Sequence, residues 1–242
     1  MRTAFRLSRV ALHVMYGVAT VAAVYPAASR GLRIRIKQRW SRQMLSMLGV
    51  ALPRGNGLGA PKGDMLVANH ISWLDIFVIN ALAPSSFVSK DEVKSWPVIG
   101  WLSEKTDTIF LERGSRRAAH RMGEQLQECL RQGQRVALFP EGTTSDGSHV
   151  LPFHGALMQP AVDAGCTVQP LALRYLDRNG AISQAPAYVG DKTLWQTLHA
   201  IAAAPSLSAV PHFLPPVPAT GTDRRHLAAA LHRHIAHALA HP

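Results

Sequence analysis

Residues 108 to 139 decide the fold: Thr-Ile-Phe-Leu-Glu-Arg-Gly, then Ser-Arg-Arg-Ala-Ala-His-Arg-Met-Gly-Glu-Gln-Leu-Gln-Glu-Cys-Leu-Arg-Gln-Gly, then Gln-Arg-Val-Ala-Leu-Phe. The two ends, Thr108 to Leu111 and Arg135 to Phe139, are apolar runs of the length of buried strands. Between them Ser115 is a good N-cap, Ala119, Met122, Leu126 and Cys129 share one helical face, and Gly133 ends the pattern. Working outward, Asp64 to Ala68, Phe87 to Lys90 and Thr167 to Leu173 read as further strands, and Ala156 to Ala164, closed by Gly165, as a helix. Asp223 to Ala240 carries Leu227, Leu231, Ile235 and Leu239 at four-residue spacing, a final helix packed on the outside. This alternation predicts an α/β fold, a layered, mostly parallel sheet flanked by helices.

The chain has 242 residues, and 17% charged residues with a mean hydropathy of +0.02 exclude a disordered chain. The net charge is +11, which raises nucleic acid or an anionic membrane as partner. All of that excess lies before Asp64, where eleven basic residues meet no acidic one; the remainder is formally neutral. The sequence therefore divides into a basic, apolar helical segment over residues 1–62, expected to be membrane-associated, and a neutral α/β domain over 63–242. Cys129 and Cys166 have no zinc-ligand spacing and read as small buried hydrophobes in a reducing compartment.

Val10 to Ala28 is an uncharged run of 19 residues, about 28 Å as a helix, barely one bilayer core. A secretory signal is the competing reading, disfavoured because the downstream flank is even more basic than the upstream one. Beyond it, Leu32, Ile36, Trp40, Met44 and Leu48 recur every four residues opposite Arg33, Arg35, Lys37, Arg39 and Arg42. This is the pattern of a basic amphipathic helix lying in an anionic leaflet, although a surface helix packed on a domain has the same one. A true span and a helical pair that dips into one leaflet and returns fit equally.

The chemistry follows the strands. In Asn69-His70-Ile71-Ser72-Trp73-Leu74-Asp75 an imidazole and a carboxylate lie one tight turn apart, the pairing a general base for a hydroxyl requires. The chain has no GxSxG elbow, so the substrate supplies the hydroxyl. Arg113 follows the Thr108 strand, and Phe139-Pro140-Glu141-Gly142-Thr143-Thr144 follows the Arg135 strand; strand C-terminal edges are where such sheets bind ligands, phosphate included. His226, His232, His234, His237 and His241 crowd the last helix and read as solvated surface rather than a metal site, and His149 and His154 as loop residues.

These blocks, with Ile-Phe-Leu-Glu-Arg ending at Arg113 and the Val-Gln-Pro-Leu strand from Val168, resemble in order and separation the four blocks of the glycerolipid acyltransferases, the bacterial 1-acyl-glycerol-3-phosphate acyltransferases above all. The resemblance covers roughly residues 63–175. It implies transfer of a fatty acyl group from acyl-CoA or acyl carrier protein to the sn-2 hydroxyl of a lysophospholipid, on the cytoplasmic face of a bacterial inner membrane. It also implies His70 as base, Asp75 as its orienting partner, and Arg113, Glu141, Gly142 and Thr143 as acceptor-binding residues, with Lys90 as a further candidate. No metal or bound cofactor is called for.

Two departures bear on the acceptor. Glu112 stands where the family more often has Asp or Asn, and Thr144 where many lysophosphatidate enzymes have arginine. The Thr-Thr-Ser-Asp-Gly continuation also resembles bacterial enzymes that acylate lyso-ornithine lipid. Two other classes remain: a membrane-tethered binding protein without catalysis, and a nucleic-acid binder, the latter disfavoured because an uncharged apolar run interrupts the basic quarter and no nucleic-acid fold signature accompanies it.

Overall fold

The strand residues separate by parity, as a pleated sheet covered on both faces requires. In Met65–Ala68, Met65 and Val67 enter one apolar cluster and Leu66 and Ala68 another. The computed structural model describes residues 1–52, 65–111 and 116–241. Its elements run α1 (Arg2–Ala23), α2 (Arg30–Leu48), β1 (Val50–Ala51), β2 (Met65–Ala68), α3 (Leu74–Leu82), β3 (Ser86–Lys90), α4 (Ile99–Lys105), β4 (Ile109–Leu111), α5 (Arg116–Arg131), β5 (Val136–Leu138), α6 (Gln159–Ala164), β6 (Thr167–Leu176), α7 (Leu194–Ala203), β7 (Leu207–Phe213), β8 (Val217–Pro218) and α8 (Arg224–Ala240).

One sheet in the order β1-β7-β6-β2-β5-β3-β4 joins them, with β8 also paired to β6. Its ladders are parallel except where β7 and β8 run against β6. Leu126, Met158, Leu231 and Ile235, from the helical segments on one face, pack on Met65, Val67, Val136 and Leu138; α1, α2, α3 and α7 contribute to a second cluster with Leu173, Tyr175 and Leu207. The expected layered α/β architecture is what the chain adopts.

The predicted elements appear with shifted ends. The strand expected over 167–173 continues to Leu176, and the helix expected from Ala156 opens as a 3-10 turn, Gly155–Met158, before α6. Asp223 caps α8, accepting from the amides of Arg225 and His226. Strand β7 and helix α7, with its Thr193 and Gln196 capping box, lie in a stretch for which the sequence reading named no element. Cys129 and Cys166 are half-buried rather than fully enclosed.

The first quarter departs most from expectation. Among the described residues no helix is long and apolar enough to cross a membrane. The uncharged run ends in a 3-10 turn, Tyr25–Ala27, with Pro26 inside it, and Val10, His13, Gly17 and Val21 of α1 face protein. The face of α2 expected to meet lipid is packed too: Met44, Leu45 and Leu48 are buried in the core that holds Leu74 and Leu173, and Trp40 sits against Phe77. Where the helices cross, the His13 and Trp40 rings stack at 4.9 Å, Trp40 Nε1 donates to the His13 carbonyl at 3.2 Å, and His13 Nε2 donates to the Trp40 carbonyl at 3.0 Å. Gly17 permits this approach, since a Cβ there would stand 2.7 Å from Trp40 Nε1. Burial pushes the His13 imidazole below its ordinary range. The boundary expected between residues 62 and 63 lies outside the described residues.

The basic side chains of this quarter have work within the fold. Arg2 and Arg6 donate to the carbonyls of Ala202, Ala203 and Ala204 at the end of α7, and Arg30 to Gln132 and Gly133 at the end of α5. Lys37 reaches Ser85 and Thr106 at the end of α4, while Gln38 and Arg42 reach Ala81 in the last turn of α3. Four helix C-termini, each with unsatisfied carbonyls and the negative end of its dipole, thus receive donors from one basic helical pair.

Candidate active site

The parallel pairing of β2, β5, β3 and β4 brings their C-terminal ends to one edge of the sheet. Val67 is level with Leu138 and Lys90 with Leu111, so His70 and Glu141 emerge close together. Asn69 makes the exit from β2 rigid. Its side chain acts as one more strand residue, donating to the Leu173 carbonyl at 3.0 Å and accepting from the Leu173 amide at 2.7 Å. The chain then turns into α3, whose first turn holds Asp75, where the helix dipole favours a carboxylate.

Asp75 is wholly buried and richly hydrogen-bonded. Its Oδ2 accepts from His70 Nδ1 at 2.8 Å and from the amides of Ile71 and Ser72 at 2.7 and 2.9 Å. Its Oδ1 accepts from the Tyr175 hydroxyl at 2.7 Å. With Nδ1 donating to Asp75, the neutral imidazole of His70 keeps its lone pair on Nε2, and its side chain is 19% exposed. The ring lies flat on Phe139, centroids 3.9 Å apart and planes 9° from parallel. Phe139 follows β5, and its ring stacks in turn with Phe87 of β3. The His70–Asp75 spacing closes into a hydrogen bond, whereas in the sequence Phe139 is the end of a strand and the start of the Phe-Pro-Glu-Gly-Thr block, and Tyr175 only the limit of the resemblance.

Glu141 has a different place from the one expected. Its carboxylate is buried beneath the His70 turn, Oε1 accepting from the His70 amide at 2.7 Å and Oε2 from the Leu151 amide at 2.9 Å. Burial raises its pKa, against the pull of those two amides. It ties the imidazole-bearing turn to the loop after β5, which Ser145 reinforces by donating its amide to the His70 carbonyl at 2.8 Å. Gly142 and Thr143, by contrast, are exposed. Gly142 adopts φ +66° and lies under His154, whose Cδ2 would be 3.1 Å from a Cβ there. Arg113 and Glu112 fall outside the described residues, and of Lys90 the backbone alone is described, at the C-terminal end of β3.

A strap after β6 closes one side. The Tyr188 amide donates to the Ile71 carbonyl at 3.0 Å, the Thr144 hydroxyl donates to the Tyr188 carbonyl, and Gln184 reaches the Asp146 carbonyl. Thr144 is thus an anchor for this strap. His232 is not plain surface: it bonds the Val150 carbonyl and meets Phe153 edge-on beneath the loop that carries Leu151.

A model of the acyltransferase family matches residues 59–174, a stretch that includes His70, Asp75, Glu141 and the C-terminal ends of β2, β3, β4 and β5. The chain is 42% identical over 197 residues to the lyso-ornithine lipid O-acyltransferase of Pseudomonas aeruginosa, covering 80% of this chain and 75% of that one. It is 44% identical over 159 residues to the 1-acyl-sn-glycerol-3-phosphate acyltransferase of Neisseria meningitidis serogroup B, covering 64% of this chain and 62% of the relative. The crystal structure of the 1-acyl-sn-glycerophosphate acyltransferase of Thermotoga maritima superposes with a TM-score of 0.64 over 97% of this chain and 96% of that one, at 19% identity, a likeness of fold. An imidazole bonded to a buried carboxylate at the C-terminal edge of a parallel sheet, in a chain matching these relatives across most of its length, makes this protein an enzyme of the lysophospholipid acyltransferase family.

Proposed function

We propose that the enzyme transfers a fatty acyl group from acyl-CoA or acyl carrier protein to the sn-2 hydroxyl of 1-acyl-glycerol-3-phosphate, giving phosphatidic acid. The observation that carries the reading is the His70–Asp75 bond, with Nδ1 engaged and Nε2 left to take a proton. Nε2 accepts the acceptor hydroxyl proton as that oxygen attacks the thioester carbonyl. The tetrahedral intermediate then collapses, the carbon–sulfur bond breaks, and the thiolate recovers the proton from the imidazolium, which Asp75 stabilises meanwhile. Products are one ester and one thiol, and His70 returns to its starting state. Arg113, Lys90, Thr143 and the Gly142 backbone would hold the acceptor headgroup, while Glu141, occupied by two amides, would position His70.

One observation favours a second acceptor, lyso-ornithine lipid: Thr144 contributes an anchoring hydroxyl where a phosphate-binding cation would serve lysophosphatidate. For the membrane contact, α1 presents Phe5, Leu12, Met15 and Tyr16 outward, each more than half exposed, with Arg9 over the Phe5 ring. In this reading that ridge rests in the headgroup region of an anionic leaflet, on the cytoplasmic face of the inner membrane, without crossing it.

The test is incubation of purified enzyme with labelled acyl-CoA or acyl carrier protein and a panel of lysophosphatidate, lysophosphatidylcholine and lyso-ornithine lipid. Lysophosphatidate is the expected acceptor, and His70→Ala is expected to abolish the reaction. Acylation of lyso-ornithine lipid alone establishes the second reading; no acylation of any lysolipid from either donor overturns both.

A further inference from the structure

Tyr175 is 1% exposed on β6, one hundred residues along the chain from Asp75. Its ring belongs to an apolar cluster with Leu74, Val78, Leu173, Ile201 and Leu207, a place where phenylalanine would fill the same volume. A hydroxyl taken into such surroundings is costly unless it is bonded, and this one donates to Asp75 Oδ1 at 2.7 Å.

The other three donors to Asp75 come from residues 70 to 72, and all converge on Oδ2. They draw the carboxylate toward the His70 turn but leave its second oxygen to the core. Among the described residues the donor to that oxygen is Tyr175.

We propose that Tyr175 is a positioning residue for acyl transfer: its hydroxyl fixes the rotation of the Asp75 carboxylate, so that Oδ2 stays aimed at His70 Nδ1 and the base keeps the tautomer with a free Nε2. This inference rests on the His70–Asp75 reading of the reaction. Burial first, and the Asp75 anion second, hold the Tyr175 phenol well above its ordinary range, so it remains a neutral donor wherever the enzyme works. Among the described residues, the ionisable groups beside the pair include Tyr175 from β6 and Glu141 from the turn after β5, with His149 and His154 on the exposed loop that follows. Glu141 keeps its two amide donors whatever stands at position 175.

Without the phenol the carboxylate rotates more freely, Oδ2 spends less of its time on His70 Nδ1, and the base loses the orientation and tautomer that acyl transfer requires. A loss already taken by removing the Asp75 charge is not taken twice.

The experiment compares Tyr175→Phe, Asp75→Asn, the double variant and His70→Ala in the full chain, reading kcat, KM for both substrates and the thermal midpoint. Tyr175→Phe is expected to lower kcat roughly ten- to hundred-fold with KM nearly unchanged, and to have no further effect on rate in the Asp75→Asn background. A parental kcat overturns the proposal. So does a fall in kcat and thermal midpoint that adds to the Asp75→Asn loss, since the hydroxyl would then serve packing alone. If His70→Ala retains the parental rate, it is the dyad reading that fails, an outcome the Tyr175 variants cannot mimic.

Discussion

Replacing Asp75 by asparagine separates the charge of this residue from its shape. Oδ2 accepts three donors and Oδ1 accepts a hydroxyl that can itself accept. The asparagine therefore has one satisfactory orientation, with its oxygen toward Ile71, Ser72 and His70 and its NH2 toward the Tyr175 oxygen. The flipped amide would set two N–H groups against the amides of residues 71 and 72. In the good orientation the three donors to Oδ2 keep their acceptor while the Tyr175 O–H loses its own, and with the weaker neutral bonds the stability cost is about 1–2 kcal/mol, or some 2–8 °C in thermal midpoint. The rate loses far more. An imidazolium and a carboxylate about 4 Å apart, charge centre to charge centre, at an effective dielectric near 20 interact by about 4 kcal/mol, so the charge of Asp75 is worth roughly a thousand-fold in rate. Thermal melting with steady-state release of thiol measures both quantities on the same preparation. A well-folded Asp75→Asn enzyme within tenfold of the parent would refute the claim that this carboxylate stabilises the imidazolium. A loss of more than about 10 °C would refute the orientation argument.

Two further outcomes concern stability. Gly17→Ala pushes a Cβ against Trp40 and breaks its bond to His13, so urea unfolding is expected to show a loss of about 1–3 kcal/mol, whereas Gly123→Ala in α5, with open space around it, gains up to about 1 kcal/mol from helix propensity. Acidification should loosen the same α1–α2 contact. His13 has a lowered pKa in the fold, so its contribution is complete above 6.5, the ordinary value, and fades as pH falls below it because the unfolded chain takes up the proton first. Urea midpoints at about pH 7.5 and 5.5 measure that loss, and His13→Gln should flatten it.

What could be read from the sequence was whatever local spacing determines. The strand–helix–strand pattern around α5, the Asp223 cap of α8 and the His70–Asp75 turn all depend on residues within a few positions of one another. Tyr175 and Phe139 could not be read in the same way, because each acts on a residue some seventy to one hundred positions away. Thr193 and Gln196 did carry a capping-box signal for α7, visible in the sequence and unused. Of the two membrane arrangements the sequence leaves open, hydropathy could not set aside the span, because it scores Val10, His13, Gly17 and Val21 alike whether they meet lipid or a neighbouring helix. The charge count is incomplete in a related way: Arg2, Arg6, Arg30, Lys37 and Arg42 reach carbonyls elsewhere in the fold, and a formal charge says nothing of where its side chain reaches.

The place of β1 has a consequence for how the protein is made. Val50 pairs with Leu207, and Arg6 with carbonyls at residues 202 and 204, so α1 and β1 find partners made well over a hundred residues after them. At about 5–20 residues per second they wait roughly 8–40 s before α7 and β7 exist to receive them. Arg42 and Arg30 meet their carbonyls sooner, at Ala81 and Gln132, whereas Arg6 and the edge of β1 stay without theirs until the end. This side of the sheet therefore closes last, after the His70 turn and the strands around it have been made.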